Sequence, residues 1–297
     1  MSQGNPPIVD PELLGRLAGL SYRVGRRVEG TLTGRHRSPY HGASVEFAQH
    51  REYAPGDEIR HVDWKTFART DRHYVKQFED ETNLRIFLVV DTSGSMGFGM
   101  DGRETKLNYA CRLAAAIAWL FIRQGDAVGL LPIGDKVGQY IPPRARPEHF
   151  WRLANTLKGL APSGSTQLSK ALEYIAEQPA RRSLVIVLSD CFEFEGRFVS
   201  LARQLQRRAH HVSVLHVLDR AELEFPFREL TVFEEMESAD RLQVDPRAMR
   251  EEYLAEFGAW CESLRQSLRE GRVDYSRMAT DLSLESCVRD LLIRGAR

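Results

Sequence analysis

The sequence predicts an α/β protein: a doubly wound, mostly parallel, Rossmann-like sheet over residues 83–297, preceded by a β-rich N-terminal extension over residues 1–82. Three observations predict it. Arg85 to Asp91 (RIFLVVD) is a short, continuous apolar run rich in β-branched residues, as expected of a strand buried on both faces. Leu107, Ala110, Cys111, Ala114, Ile117, Ala118 and Phe121 then recur at spacings of three and four, the stripe of an amphipathic helix. Further apolar runs at Leu184 to Leu188 and Val212 to Leu218 continue the alternation of strand and helix.

Each element follows from local chemistry. Gly125 ends the first long helix, and Ala127 to Ile133 reads as the second core strand. Val137 to Ile141 reads as a short third strand, paired through a hairpin at Gly134-Asp135. Helical periods follow at about 147–157 and 167–176, then the strand ending in Ser189-Asp190, a helix over 197–208 and the strand over 212–218. The acidic, alternating stretch from Ala221 to Gln243 reads as a hairpin insertion at a sheet edge or rim, a solvated flap. Asp245 is an expected N-cap with Pro246 at the first helical position. Met249, Tyr253, Phe257, Trp260, Leu264 and Leu268 line one face of that helix, and Gly271 stops it. A strand near 273–278 and a helix over 284–292 complete the domain. Before residue 80 the turn signals at Gly30, Gly34, Gly42 and Pro55-Gly56-Asp57 mark a segment of a different kind.

Composition narrows the function. The 297 residues carry 42% hydrophobic and 28% charged side chains, a globular balance, and Lys+Arg equals Asp+Glu at 41 each. That neutrality removes the global argument for a nucleic-acid or anionic-membrane binder. The longest apolar run, Leu113 to Ile122, is too short to span a bilayer and is flanked by Arg112 and Arg123. The cysteines at 111, 191, 261 and 287 form no C-x-x-C pair, so a reducing cytoplasm with thiols packed as small hydrophobes is expected.

The chemistry concentrates where the first core strand ends. Asp91-Thr92-Ser93-Gly94-Ser95 is a D-x-S-x-S string, at the end of a sheet where open α/β folds bind ligands. Thr166, in the turn before a helix, and Asp190, at another strand end, add two more hard oxygens. Two carboxylates and three hydroxyls suit Mg²⁺, with Mn²⁺ or Ca²⁺ as substitutes. The hydroxyls are neutral, so an ion held there keeps charge to offer an anionic oxygen, most naturally a partner's carboxylate. The competing reading is structural: Ser, Thr and Asp after a strand also cap helices.

Asp91 to Ser95, Thr166 and Asp190 resemble the metal-ion-dependent adhesion site (MIDAS) of von Willebrand factor A (vWA) domains. The N-terminal residues Ser38-Pro39, Gly42, Glu46-Phe47-Ala48, Arg51-Glu52-Tyr53, Pro55-Gly56-Asp57-Glu58-Ile59-Arg60, Val62-Asp63-Trp64-Lys65, Ala68-Arg69-Thr70 and Val75-Lys76-Gln77-Phe78-Glu79 are similar to the signature of the bacterial DUF58 family. That resemblance implies a metal-dependent, non-enzymatic interaction module with an adaptor or chaperone-like role, and a MoxR-type AAA+ ATPase, or its client, as partner. Many members carry an N-terminal membrane hairpin that this chain lacks, so the resemblance implies a cytoplasmic protein, at most peripheral to a membrane complex. Within the signature, Arg60, Asp63, Trp64, Lys65 and Arg69 admit two readings. They form either a partner-binding surface or an internal ion-pair network anchored by Trp64. Alternation along a strand, with Asp63 and Lys65 on one side and Trp64 on the other, favours the network.

Two other functions compete with the interaction module. A Mg²⁺-dependent phosphohydrolase would use a strand-end Asp, but it needs a second acid two residues on, where Ser93 stands. A structural scaffold with no occupied metal site is the third reading.

Overall fold

The computed structural model describes residues 6–20, 45–52, 64, 66–67, 74–80, 84–100, 103–178, 183–192, 196–229, 231–234 and 241–295. They fall into two compact units, 28–83 and a main unit of 1–27 with 84–297.

In the main unit the strands β3 (Arg85–Asp91), β4 (Ala127–Ile133), β5 (Ile141–Arg144), β6 (Ser183–Ser189), β7 (His211–Leu218) and β10 (Asp274–Ala279) form one sheet. Its order is β10-β7-β6-β3-β4-β5, parallel throughout except for β5 at the edge. Burial on both faces explains the unbroken apolar runs. Ile86, Leu88 and Val90 of β3 pack on one side, while Phe87 and Val89 pack on the other. The first layer is filled by α1 (Pro11–Leu17), α2 (Lys106–Arg123), α3 (Pro147–Lys158) and α8 (Leu284–Gly295). The second is filled by α4 (Leu168–Glu177), α5 (Gly196–Arg207) and the C-terminal half of α7 (Pro246–Glu270). Helices on both faces of a mostly parallel sheet make this the doubly wound α/β architecture that the sequence predicts.

The chain leaves β3 for β4 on one side and later returns to β6 on the other. The carboxyl ends of β3 and β6 therefore flank the switch point of the sheet, the crevice in which open α/β folds bind ligands.

Several elements depart from expectation. The edge strand is 141–144, not 137–141; Val137 makes only an isolated bridge to Ile133. The cause is Gly129, where a side chain would stand 2.7 Å from the Ile141 carbonyl oxygen, so only glycine lets the edge strand cross this closely. Residues 6–20 belong to the main unit rather than to the N-terminal extension, because Leu13 and Leu17 of α1 are buried in its core. The 221–243 stretch opens with a short helix, α6 (Arg220–Glu224), started by a capping box of Asp219 and Glu222. The hairpin that follows, β8 (Thr231–Glu234) with β9 (Arg241–Val244), is a separate two-stranded sheet and not an edge of the main one. Asp245 caps α7 and Pro246 opens it as expected. Gly271 follows its last residue, but the left-handed position is Arg272; a side chain at 271 would meet Val199 at 2.8 Å.

The smaller unit contains β1 (Val45–Glu52) paired antiparallel with β2 (Tyr74–Asp80), consistent with a β-rich extension.

Candidate functional site

Asp91 is the last residue of β3 and is fully buried. One of its carboxylate oxygens accepts the Ser93 backbone N–H at 2.9 Å; the other accepts the Ser189 hydroxyl at 2.5 Å, from the end of β6. The Ser93 and Ser95 hydroxyl oxygens lie 3.0 Å apart across the tight turn that begins at Gly94. Asp190 follows Ser189 and is also fully buried. Burial, reinforced by the Asp190 charge, pushes the Asp91 carboxyl up to about 6 against the hydrogen bonds from Ser189 and Ser93.

Thr166 arrives on the loop between α3 and α4. The Gly164 carbonyl accepts the Gly94 N–H at 2.7 Å, and the Thr92 carbonyl accepts the Ser163 N–H at 2.8 Å. Gly164 is left-handed at φ +62°, with the Asp135 side chain within 3.3 Å of where a Cβ would stand, so glycine is the residue the loop needs here. The loop is thus stitched to the Asp91–Gly94 turn. Thr166 is buried and its hydroxyl oxygen has no hydrogen-bond partner. A buried, unpaired hydroxyl costs about 1–3 kcal/mol, so this one calls for a partner the protein itself does not provide.

All five predicted oxygen residues therefore belong to one pole of the sheet. Asp91, Ser93 and Ser95 are joined by direct bonds, Thr166 by its loop, and Asp190 through the Asp91–Ser189 contact. Among the described residues no group of three or more His, Cys, Asp or Glu is arranged to hold a metal, so a cation at this pole would rest largely on hydroxyl oxygens. The donor set is all oxygen and includes an orphaned buried hydroxyl, and on both counts it fits a hard divalent ion.

Three residues of the site were missed by the sequence reading. Ser189 was visible as a polar end to an apolar strand. Lys106 and Glu222 were not singled out: the Lys106 ammonium, 1% exposed, donates to Asp190 at 2.8 Å and to Glu222 at 2.7 Å. Burial opposes the charge of Lys106, but the two carboxylates outweigh it and raise the ammonium above its ordinary value. Phe192 stands over the ammonium at 4.9 Å, stacks on Trp260 at 5.5 Å and leaves 46% of its surface exposed.

Of the signature cluster, Arg60, Asp63, Lys65 and Arg69 lie outside the described residues. Trp64, with Thr66 and Phe67, is helical, so the strand alternation that favoured an internal network does not apply. Trp64 is 56% exposed, with its ring edge-on to Phe67 at 6.1 Å.

Residues 49–259 match the model of the family described as protein of unknown function DUF58. The uncharacterized protein Rv1480 of Mycobacterium tuberculosis is 30% identical over 269 residues, covering 88% of this chain and 83% of its own. Among solved structures, BatB from Bacteroides thetaiotaomicron is similar at 17% identity and a TM-score of 0.47, over 72% of this chain and 98% of its own. The VWA domain of SpRpn10 is similar at 13% identity and a TM-score of 0.42, over 71% and 95%. No helix among the described residues is long and apolar enough to cross a membrane.

Proposed function

The chain belongs to the DUF58 family, and from that premise we propose that it is a non-enzymatic interaction module whose Asp91 pole holds a divalent ion and docks a carboxylate of a partner protein. The observation that carries this reading is the buried Thr166 hydroxyl without a partner, on a loop tied to the Asp91–Gly94 turn. Asp91, Ser93, Ser95 and Thr166 would hold Mg²⁺, or Mn²⁺ or Ca²⁺ in its place, with Asp190 acting directly or through water. A bound ion supplies an open coordination position for an anionic oxygen. The chain's own part is to fix the oxygens: Ser189 and the Ser93 amide hold Asp91, and Gly164 holds the Thr166 loop. The family resemblance makes a MoxR-type AAA+ ATPase or its client the first partner to test, in the cytoplasm or at the edge of a membrane complex.

The phosphohydrolase reading is less well supported. Both Asp91 oxygens already accept hydrogen bonds, which suits a fixed ligand more than an attacking nucleophile, and Ser93 stands where a second acid is needed.

The test is affinity capture from the native host with wild type in Mg²⁺, wild type in EDTA, and Asp91→Ala in Mg²⁺. Recovery of an AAA+ ATPase by the first alone is the expected result. The same proteins in all three samples would overturn the metal-dependent contact.

A further inference from the structure

The buried Lys106 is the feature of this pole that the proposed function leaves unused. It is the first residue of α2, and its ammonium is shared between Asp190, at the end of β6, and Glu222, in the first turn of α6. Asp190 and Lys106 are almost wholly buried, and Glu222 is 11% exposed at its side chain. Glu222 is itself fixed, since its other oxygen accepts the Asp219 N–H at 2.6 Å. The ammonium is thus held from two elements, with Phe192 and Phe98 over it at 4.9 Å and 5.8 Å.

We propose that Lys106 is a resident counter-cation of the metal site: it neutralises Asp190 in the ion-free protein, withholds that carboxylate from direct ligation, and so sets how tightly a divalent ion binds. The inference rests on the metal-site reading. Its basis is that one Asp190 oxygen is committed to the ammonium at 2.8 Å and the other accepts only a long contact from the Phe192 N–H, at 3.4 Å. With the charge of Asp190 offset in this way, its second oxygen is a weak ligand, and the first shell of an ion rests on Asp91 and three hydroxyls. Such a shell suits an ion that exchanges as a partner docks and leaves. Glu222 tunes the device by competing with Asp190 for the ammonium.

This role predicts opposite signs from two variants, one double and one single, that a purely structural ion pair would not separate. Replacing both Lys106 and Glu222, as Lys106→Met with Glu222→Gln, removes one charge of each sign and frees Asp190. Mn²⁺ titrated calorimetrically into this variant binds about tenfold or more tightly than into wild type, the factor that 1.4 kcal/mol represents. Glu222→Gln alone leaves the ammonium to Asp190 and weakens Mn²⁺ binding several-fold. A double variant that binds no tighter, or a Glu222→Gln protein that binds no weaker, overturns the inference; if the double variant does not fold, the sign for Glu222→Gln decides. Mn²⁺ heat identical in wild type and Asp91→Ala overturns the metal-site reading and this inference with it. A wild-type signal lost in Asp91→Ala but unmoved by the Lys106 and Glu222 changes overturns the inference alone.

Discussion

Replacing Thr166 by Val tests the orphaned hydroxyl directly. Valine keeps the branched shape of threonine and replaces only the hydroxyl by a methyl, at a position 2% exposed. In the ion-free protein that oxygen has no partner, so its burial is an uncompensated cost of about 1–3 kcal/mol. The added methyl buries further apolar surface where the oxygen stood. Thr166→Val in EDTA is therefore more stable than wild type by about 1–3 kcal/mol, and for a domain of this size each kcal/mol moves the melting point by about 2–4 °C. Excess MgCl₂ inverts the order, because a ligand that binds only the folded state stabilises wild type and the variant lacks one of its oxygens. Thermal unfolding of both proteins in EDTA and in MgCl₂, followed by circular dichroism, reads the crossing. Destabilisation of Thr166→Val in EDTA would refute the reasoning, since it would mean that the hydroxyl already has a partner in the ion-free protein.

Two further predictions concern the scaffold. Burial pushes Asp126 up to about 6, against the hydrogen bond it accepts from the Leu84 N–H at 2.9 Å. A carboxyl raised on folding ionises first in the unfolded chain, so its contribution to stability falls as pH climbs from about 4 to about 6 and is flat above that. Asp126→Asn removes this slope and gains about 1 kcal/mol over wild type at neutral pH, after allowance for its partial exposure; urea unfolding across that range checks it, and an unchanged slope refutes it. Leu17, fully buried in the main core, should cost about 2–5 kcal/mol as Leu17→Ala in the same assay, whereas a leucine in a separate N-terminal segment would leave the main unit unmoved.

The parts of the fold legible in the sequence are those whose burial is carried by one strong period. The strand 85–91 and the helix that begins at Lys106 have the expected pattern because every apolar residue faces a packed layer. The edge strand was misplaced because its position depends on a distant contact, the approach of Ile141 to Gly129, which leaves no trace in the local alternation of 137–141. The grouping of residues 6–20 with the main unit is hidden for a similar reason: the partners of α1, helices α2 and α8, lie about a hundred residues or more along the chain, and no local pattern names them. The short helix at 220–224 was legible and overlooked, since Asp219 and Glu222 stand at capping-box spacing.

The oxygen residues at the switch point were readable because ligand chemistry needs particular side chains at strand ends, and those ends are marked by the apolar runs that precede them. Lys106 is the harder and more instructive case. A cation at the first position of a helix stands against the helix dipole, where acidic residues are preferred. It also precedes Ala110 by four residues, and so falls on the stripe that α2 buries. Each fact alone marks a local conflict, and together they place a charge in the core at the amino end of a helix, a position that two buried carboxylates from other elements must compensate. Asp190, the residue after the apolar strand β6, is one of them. A misplaced cation and a strand-end acid are thus complementary halves of one feature, and the conflict in the helix is the trace that this site leaves in the sequence.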